Sequence, residues 1–241
     1  KLPIKLIGGG SNIIWSDTGF DGLVIVNRIA GFSITPESEH ASYVTMGAGE
    51  NWDDAVEKTV DAGLHGIEAL SLIPGTAGAT PIQNVGAYGQ DISQTLVSIE
   101  AYDLKHGQFV TINSEDCKFS YRKSRFNSED KDRFLIVSVQ FLLHRVNPRP
   151  PFYPAVAKYF HDHKIHVVSP KTLRQAVIAI RQSKLPDPAK IANTGSFFAN
   201  PIVSAMFFKQ FIKQHPDAPH WEMKNGRYKL SAAWLIDQAG L

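Results

Sequence analysis

The sequence predicts a chain of mixed strands and helices that is neither a Rossmann nor a P-loop fold. Three observations carry this. Short β-branched or apolar runs, read as strands, crowd the part of the chain before residue 145. Capped helix signals stand at Asn51, Ser169, Ser204 and Ser231. Neither G-x-G-x-x-G nor G-x-x-x-x-G-K-[ST] occurs, although glycine-dense segments are prominent.

Taken in order, Pro3 to Ile7 is a strand that runs directly into Gly8-Gly9-Gly10-Ser11-Asn12. A strand opening at residue 1 with nothing before it suggests missing upstream sequence. Leu23 to Val26 and Tyr43 to Met46 are further strands. Gly47-Ala48-Gly49 leads into a helix capped by Asn51, with Ala55, Val56, Thr59 and Val60 on one face and Gly63 as its stop. Val97 to Asp103 and Phe109 to Ile112 flank Lys105-His106-Gly107-Gln108, a hairpin turn. Phe134 to Leu143 reads as a buried strand, and Asn147-Pro148-Arg149-Pro150-Pro151 then breaks regular structure. Ser169-Pro170 opens a helix whose apolar face is Leu173, Ala176, Val177 and Ile180. Leu185-Pro186-Asp187-Pro188 marks a domain boundary. Ser204 caps a helix whose Phe207, Phe208, Phe211 and Ile212 follow helical spacing and read as core. The last helix, from Ser231, has little to pack against when the sequence stops, so the chain reads as cut at both ends.

Composition excludes several functions. Lys plus Arg number 25 against 23 Asp plus Glu, and no basic run concentrates them, so nucleic acid is not an expected partner. The longest apolar stretch, Phe134 to Leu143, is too short to span a bilayer as a helix, and no signal peptide is legible. Cys117 is the only cysteine; it suits a reducing compartment and reads as a packing residue. The histidines form no spaced ligand cluster, His161 and His163 read as surface, and no metal is implied.

Chemistry concentrates in three glycine-dense segments: Gly8 to Asn12, Gly47 to Asn51, and Ile73 to Gly89. Glycine lets a backbone turn sharply and bring N–H groups to phosphate oxygens, and Ser11 and Asn12 can add side-chain hydrogen bonds. The third segment holds four glycines, two prolines, Gln83, Asn84 and Tyr88, and long ordered loops of that kind in compact domains are commonly functional.

These segments resemble the UDP-N-acetylenolpyruvoylglucosamine reductase family, also called the UDP-N-acetylmuramate dehydrogenase or MurB family. GGGSN at Gly8, GAGENW at Gly47, IPGTAGATPIQNVGAYG at Ile73, FSYRKSRF at Phe119, KLPDP at Lys184, GSFFANP at Gly195 and AAWLIDQAGL at Ala232 occur in the family's order across essentially the whole chain. The resemblance implies an α+β fold: an FAD-binding domain of two α+β subdomains, of the vanillyl-alcohol-oxidase type, followed by a smaller α+β substrate-binding domain. Residues 1–17 would be a remnant of the first subdomain, 18–185 the second, and 186–241 an incomplete substrate domain. Phe152-Tyr153-Pro154 resembles the tyrosine loop of the family's longer subtype.

The resemblance further implies a cytoplasmic flavoenzyme that uses non-covalent FAD and NADPH to reduce the enolpyruvyl group of a UDP-sugar for peptidoglycan synthesis, with no membrane and no obligate protein partner. Gly8, Gly9, Gly10, Ser11, Asn12, Pro74, Gly75, Gly78, Gln83, Asn84, Gly86, Ala87, Tyr88 and Gly195 would hold FAD. Arg122 matches the family arginine that steadies charge on the substrate carboxylate, and Ser196 the serine that protonates the carbanion. Tyr121, Tyr153, Lys184 and Asn200 match substrate contacts, Lys184 at the diphosphate; Arg181 adds charge nearby. The family also has a catalytic glutamate near its C-terminus that matches nothing here. Two other readings stay open: an FAD oxidase on the same scaffold, and a degenerate flavin or nucleotide-sugar binding module.

Overall fold

Alternating apolar residues organise the larger part of the chain around an antiparallel sheet. The computed structural model describes residues 2–188, 190–223 and 225–240. It divides into two units, Lys1–Asn193 and Thr194–Leu241.

In the first unit, β1 (Ile4–Ile7) pairs in parallel with β2 (Leu23–Val26). Parallel neighbours require a crossover, usually helical. Here it is irregular and begins with the Gly8–Asn12 turn. Next come β3 (Phe32–Pro36), β4 (Ala41–Gly47) and α1 (Trp52–Asp61). The Asn51 side chain caps α1 by accepting from the Asp54 N–H, and Gly63 follows the helix end at φ +71°. The long glycine segment is ordered by a single 3-10 turn, Ala77–Ala79, and by the hairpin of β5 (Gly86–Ala87) and β6 (Gln90–Asp91).

β7 (Leu96–Asp103) and β8 (Gln108–Asn113) form the expected hairpin, and β9 (Phe134–His144) is the expected buried strand. The sheet order is β3-β4-β9-β7-β8, all neighbours antiparallel. Trp52 from α1 lies against Phe141 of β9, ring centroids 5.8 Å apart, and its indole N–H donates to the Leu70 carbonyl at 3.0 Å. Val44, Met46, Ile99 and Val139 complete this core with no exposure. Each such side chain stabilises the fold by roughly 1.5–3 kcal/mol relative to exposure.

α2 (Pro154–Asp162) and α3 (Pro170–Lys184) close the unit. Ser169 and Thr172 form a reciprocal cap at the start of α3, and Val156 and Phe160 of α2 bury against Leu173, Val177 and Ile180. Two elements are not legible in the sequence reading. β3 is a short edge strand, and α2 starts immediately after a proline-rich break and buries only Val156 and Phe160. His161 and His163 are exposed at its end.

In the second unit, β10 (Ile202–Val203), α4 (Ala205–Gln214), β11 (His220–Glu222) and β12 (Tyr228–Leu230) precede α5 (Ala232–Gln238). Ser204 and Ser231 cap α4 and α5 as expected. The small sheet, ordered β10-β12-β11, was not anticipated. Nor is the α4 face uniformly core. Phe208 stacks on Tyr228 at 3.8 Å and is buried, whereas Phe207 remains 50% exposed. The sheet is narrow enough to cover only one of the adjacent rings.

Candidate active site

A cavity of about 380 Å³ lies between the turn after β1 and the glycine segment. Gly8, Gly9, Gly10, Ser11, Asn12, Pro74, Gly75, Gly78 and Gln83 line it, so two segments far apart in sequence meet there. Its apolar walls include Ile7, Ile25, Ile73, Ile82, Val85 and Ile136.

Glycine is required here first for loop-to-loop contact. A Cβ on Gly8 would lie 2.3 Å from Thr76 Oγ1, and one on Gly78 would lie 2.4 Å from the Ala48 Cβ. Gly10 (φ +73°) and Gly75 (φ +118°) instead need left-handed backbone. Among the described residues, no backbone carbonyl accepts from the N–H groups of Gly9, Gly10, Ser11 or Asn12. Unengaged N–H groups in a tight turn form a cradle for an anion. With the apolar walls, that donor set fits a group carrying both phosphate and a flat apolar ring, as FAD does.

Arg122 is placed by a two-residue turn. Ser120 and Lys123 exchange backbone hydrogen bonds at 2.9 and 3.1 Å, leaving Tyr121 and Arg122 at the tip, with Arg122 at φ +56°. The guanidinium donates from Nη2 to the Gly86 carbonyl at 2.5 Å and from Nη1 to the Asn84 carbonyl at 3.4 Å. It lies 5.3 Å from the Tyr121 ring centre. Half-buried Arg122 forms no ion pair with a carboxylate among the described residues. Its charge is left for something else.

Asn84, Gly86, Ala87 and Tyr88 do not line the cavity; they continue the segment toward Arg122. Buried Glu68 secures this stretch, accepting from the Gln90 side chain at 3.1 Å, the Gly66 N–H at 2.7 Å and His65 at 2.6 Å. Tyr88, at φ +48°, packs edge-on against Tyr153, the residue preceding α2, at 5.6 Å. Burial pushes the Tyr88 hydroxyl above its ordinary pKa, and Arg181, hydrogen-bonded to it, pulls the other way. Burial likewise lowers the pKa of Arg181, whose Nε has no partner among the described residues. Deeper in α3, Arg174 is paired with Asp53, Nη1 to Oδ1 at 2.5 Å. Exposed Lys184 ends α3.

The second unit carries the other expected residues. Gly195 has φ +72° and Ser196 is exposed beside it. Asn200 is engaged within the unit: its Oδ1 accepts from the Ala232 N–H at 2.9 Å, at the start of α5. Cavity-lining Asn27 and Thr76 were missed by the sequence reading. Asn27 carried a signal of a kind, a polar residue directly after an apolar strand; its side chain donates to the Ile136 carbonyl at 2.7 Å.

Comparison with known proteins bears on the same residues. A model described as "FAD binding domain" matches residues 1–113. A UDP-N-acetylenolpyruvoylglucosamine reductase of Ralstonia nicotianae is 43% identical over 99% of this chain and 70% of its own length. One of Dechloromonas aromatica is 42% identical over 98% of this chain and 70% of its own length. The chain belongs to the UDP-N-acetylenolpyruvoylglucosamine reductase family. A solved structure of the reductase (MurB) from Thermus caldophilus, 20% identical, covers all of this chain and 68% of that one with a TM-score of 0.64. At that identity the likeness speaks for the α+β fold. No helix of the described residues is long and apolar enough to cross a membrane, and no group of three or more His, Cys, Asp or Glu among them is arranged to hold a metal ion.

Proposed function

We infer that the protein is an FAD-dependent oxidoreductase that reduces the enolpyruvyl group of UDP-N-acetylglucosamine enolpyruvate to UDP-N-acetylmuramate, with NADPH as hydride donor, in peptidoglycan synthesis. The observation that carries this is Arg122: a half-buried guanidinium with no carboxylate partner among the described residues, held beside the glycine-lined cavity in a chain of this family.

FAD, when bound, supplies the hydride. Gly8 to Asn12, Pro74, Gly75, Gly78 and Gln83 would hold it, with Gly86, Ala87, Tyr88 and Gly195 completing the set; Asn84, also expected there, has its side chain committed to Ser120 and Ser93 instead. The cavity lining offers no His or Cys to bond the flavin, which supports non-covalent attachment. Hydride addition leaves negative charge beside the substrate carboxylate, which spreads onto its oxygens. The planar, permanently charged fork of Arg122 stabilises that charge. Tyr121 lines the site, Lys184 meets the diphosphate, and Tyr153 and Asn200 contact substrate. Ser196 donates the proton to carbon: a hydroxyl is a weak acid, but the enediolate is a strong base. The chain spans about 70% of the length of the curated relatives it matches. We assign the family's assisting glutamate to the remainder and the enzyme to the cytoplasm.

The test is Arg122→Lys in the full-length protein, which keeps the charge and removes the fork. Oxidation of reduced enzyme by the enolpyruvyl nucleotide, followed by stopped-flow flavin absorbance, should slow by the equivalent of about 2–4 kcal/mol. Reduction by NADPH should be unchanged. Unaltered oxidation would remove Arg122 from the mechanism and this reading with it.

A further inference from the structure

We propose that Asn84 is the positioning residue that sets Arg122 for its carboxylate, a role that rests on the Arg122 reading above. One buried side chain fixes both sides of the arginine's mount. On the acceptor side, Asn84 lies in the left-handed region at φ +46°, so its own carbonyl and that of Gly86 both receive the guanidinium. On the other side, its Nδ2 donates to the Ser120 carbonyl at 3.2 Å. Ser120 is the residue whose backbone bonds to Lys123 close the turn bearing Arg122.

The amide cannot serve in reverse. Its Oδ1 accepts from the Ser93 N–H at 3.3 Å while Nδ2 faces a carbonyl, so flipping it would set donor against donor and acceptor against acceptor. Asn84 is 4% exposed, and both the donor and the acceptor end of its side-chain amide are engaged inside the protein. It acts on substrate through Arg122 rather than by contact. Asparagine also tolerates left-handed backbone better than most residues, which suits it to this position.

The test compares two nucleotides that differ in the lactyl carboxylate: UDP-N-acetylmuramate, which has it, and UDP-N-acetylglucosamine, which lacks it. Asn84→Gly keeps the left-handed backbone and deletes both side-chain bonds; Asn84→Asp keeps an acceptor for Ser93 but loses the donor to Ser120. By calorimetry on the full-length flavin-loaded protein, both variants should bind UDP-N-acetylmuramate about 10-fold more weakly, the scale of one or two lost hydrogen bonds. Affinity for UDP-N-acetylglucosamine should stay within about 2-fold, because nothing in its recognition needs Arg122. In an Arg122→Lys background, Asn84→Gly should add less than about 2-fold, since residues acting through one group are not additive.

Equal weakening of both nucleotides would overturn the proposal, as would a full 10-fold loss on top of Arg122→Lys. Loss of flavin or of cooperative melting in both Asn84 variants would also overturn it, assigning Asn84 to the scaffold. If Arg122→Lys leaves the carboxylate preference intact, the Arg122 reading itself fails and takes this proposal with it. If Arg122→Lys abolishes the preference and Asn84→Gly spares it, only the positioning role falls.

Discussion

Around Arg122, individual residues carry backbone conformations that ordinary side chains avoid. Asn84, Tyr88 and Arg122 all have positive φ, and they are joined through the Gly86 and Asn84 carbonyls and the short β5–β6 hairpin. Left-handed backbone costs a non-glycine residue roughly 1–2 kcal/mol, so surrounding contacts must over-determine it. Glu68, Ser120 and Ser93 supply them. Nothing in the local sequence announces this. The glycines around Asn84 and Tyr88 are visible, but the left-handed arginine is set by a contact to a segment more than thirty residues earlier. Ser196 is the opposite case, legible only through its motif, since an exposed serine after glycine has no distinguishing local physics. Its role is separable by experiment. Ser196→Ala should leave flavin reduction by NADPH nearly unchanged and slow oxidation by the enolpyruvyl nucleotide about 10²–10⁴-fold, the usual contribution of a general acid. Stopped-flow absorbance follows each half, and equal slowing of both would make Ser196 a shaper of the pocket instead.

Caps are the elements' most readable feature, because an N-cap bond involves residues within one turn. Asn51, Ser169, Ser204 and Ser231 each accept from a backbone N–H at the start of the helix they announce. β3, α2 and the β10–β12 sheet were less legible, because their identity depends on partners distant in sequence. The β7–β8 hairpin shows a cost and remedy that sequence alone does not display. Asp103 at its end is 2% exposed, and the Arg133 guanidinium grips its carboxylate at 2.8 and 3.1 Å. Hydrogen bonding from Arg133, supported by His106 and the Lys105 N–H, outweighs burial and holds Asp103 well below the usual carboxylate range. A carboxylate with a depressed folded-state pKa contributes stability above the ordinary value, near 4, and loses it as pH falls through the folded value. Arg133→Gln removes the principal cause and leaves burial, which acts in the opposite direction. Its acid unfolding midpoint, followed by tryptophan fluorescence, should therefore move to higher pH than wild type. An unchanged midpoint would mean that Asp103 is held by its other partners.

At the scale of the molecule, what the sequence could not show is which of its glycine segments meet. The strand assignments at Pro3 to Ile7 and Leu23 to Val26 hold, but their parallel pairing, with the Gly8–Asn12 turn between them, is a tertiary fact. That pairing brings the turn against Gly75 and Thr76, where added Cβ atoms would collide. The result is a cavity lined wholly by residues between Leu6 and Ile136, inside the first unit. Segment 185–200, by contrast, is largely exposed and without regular structure among its described residues. Exposed irregular backbone is the preferred site of proteolytic nicking. Brief trypsin treatment of the FAD-loaded protein should therefore cut first after Lys190, and the fragment ending there should keep the flavin. Size exclusion with absorbance at the flavin band reads the partition directly. Acid precipitation of that fragment should then release the flavin into solution, because the lining offers no His or Cys to bond it. Flavin leaving with the nick would show that the second unit is needed to retain it. Colour staying in the precipitate would contradict a non-covalent site.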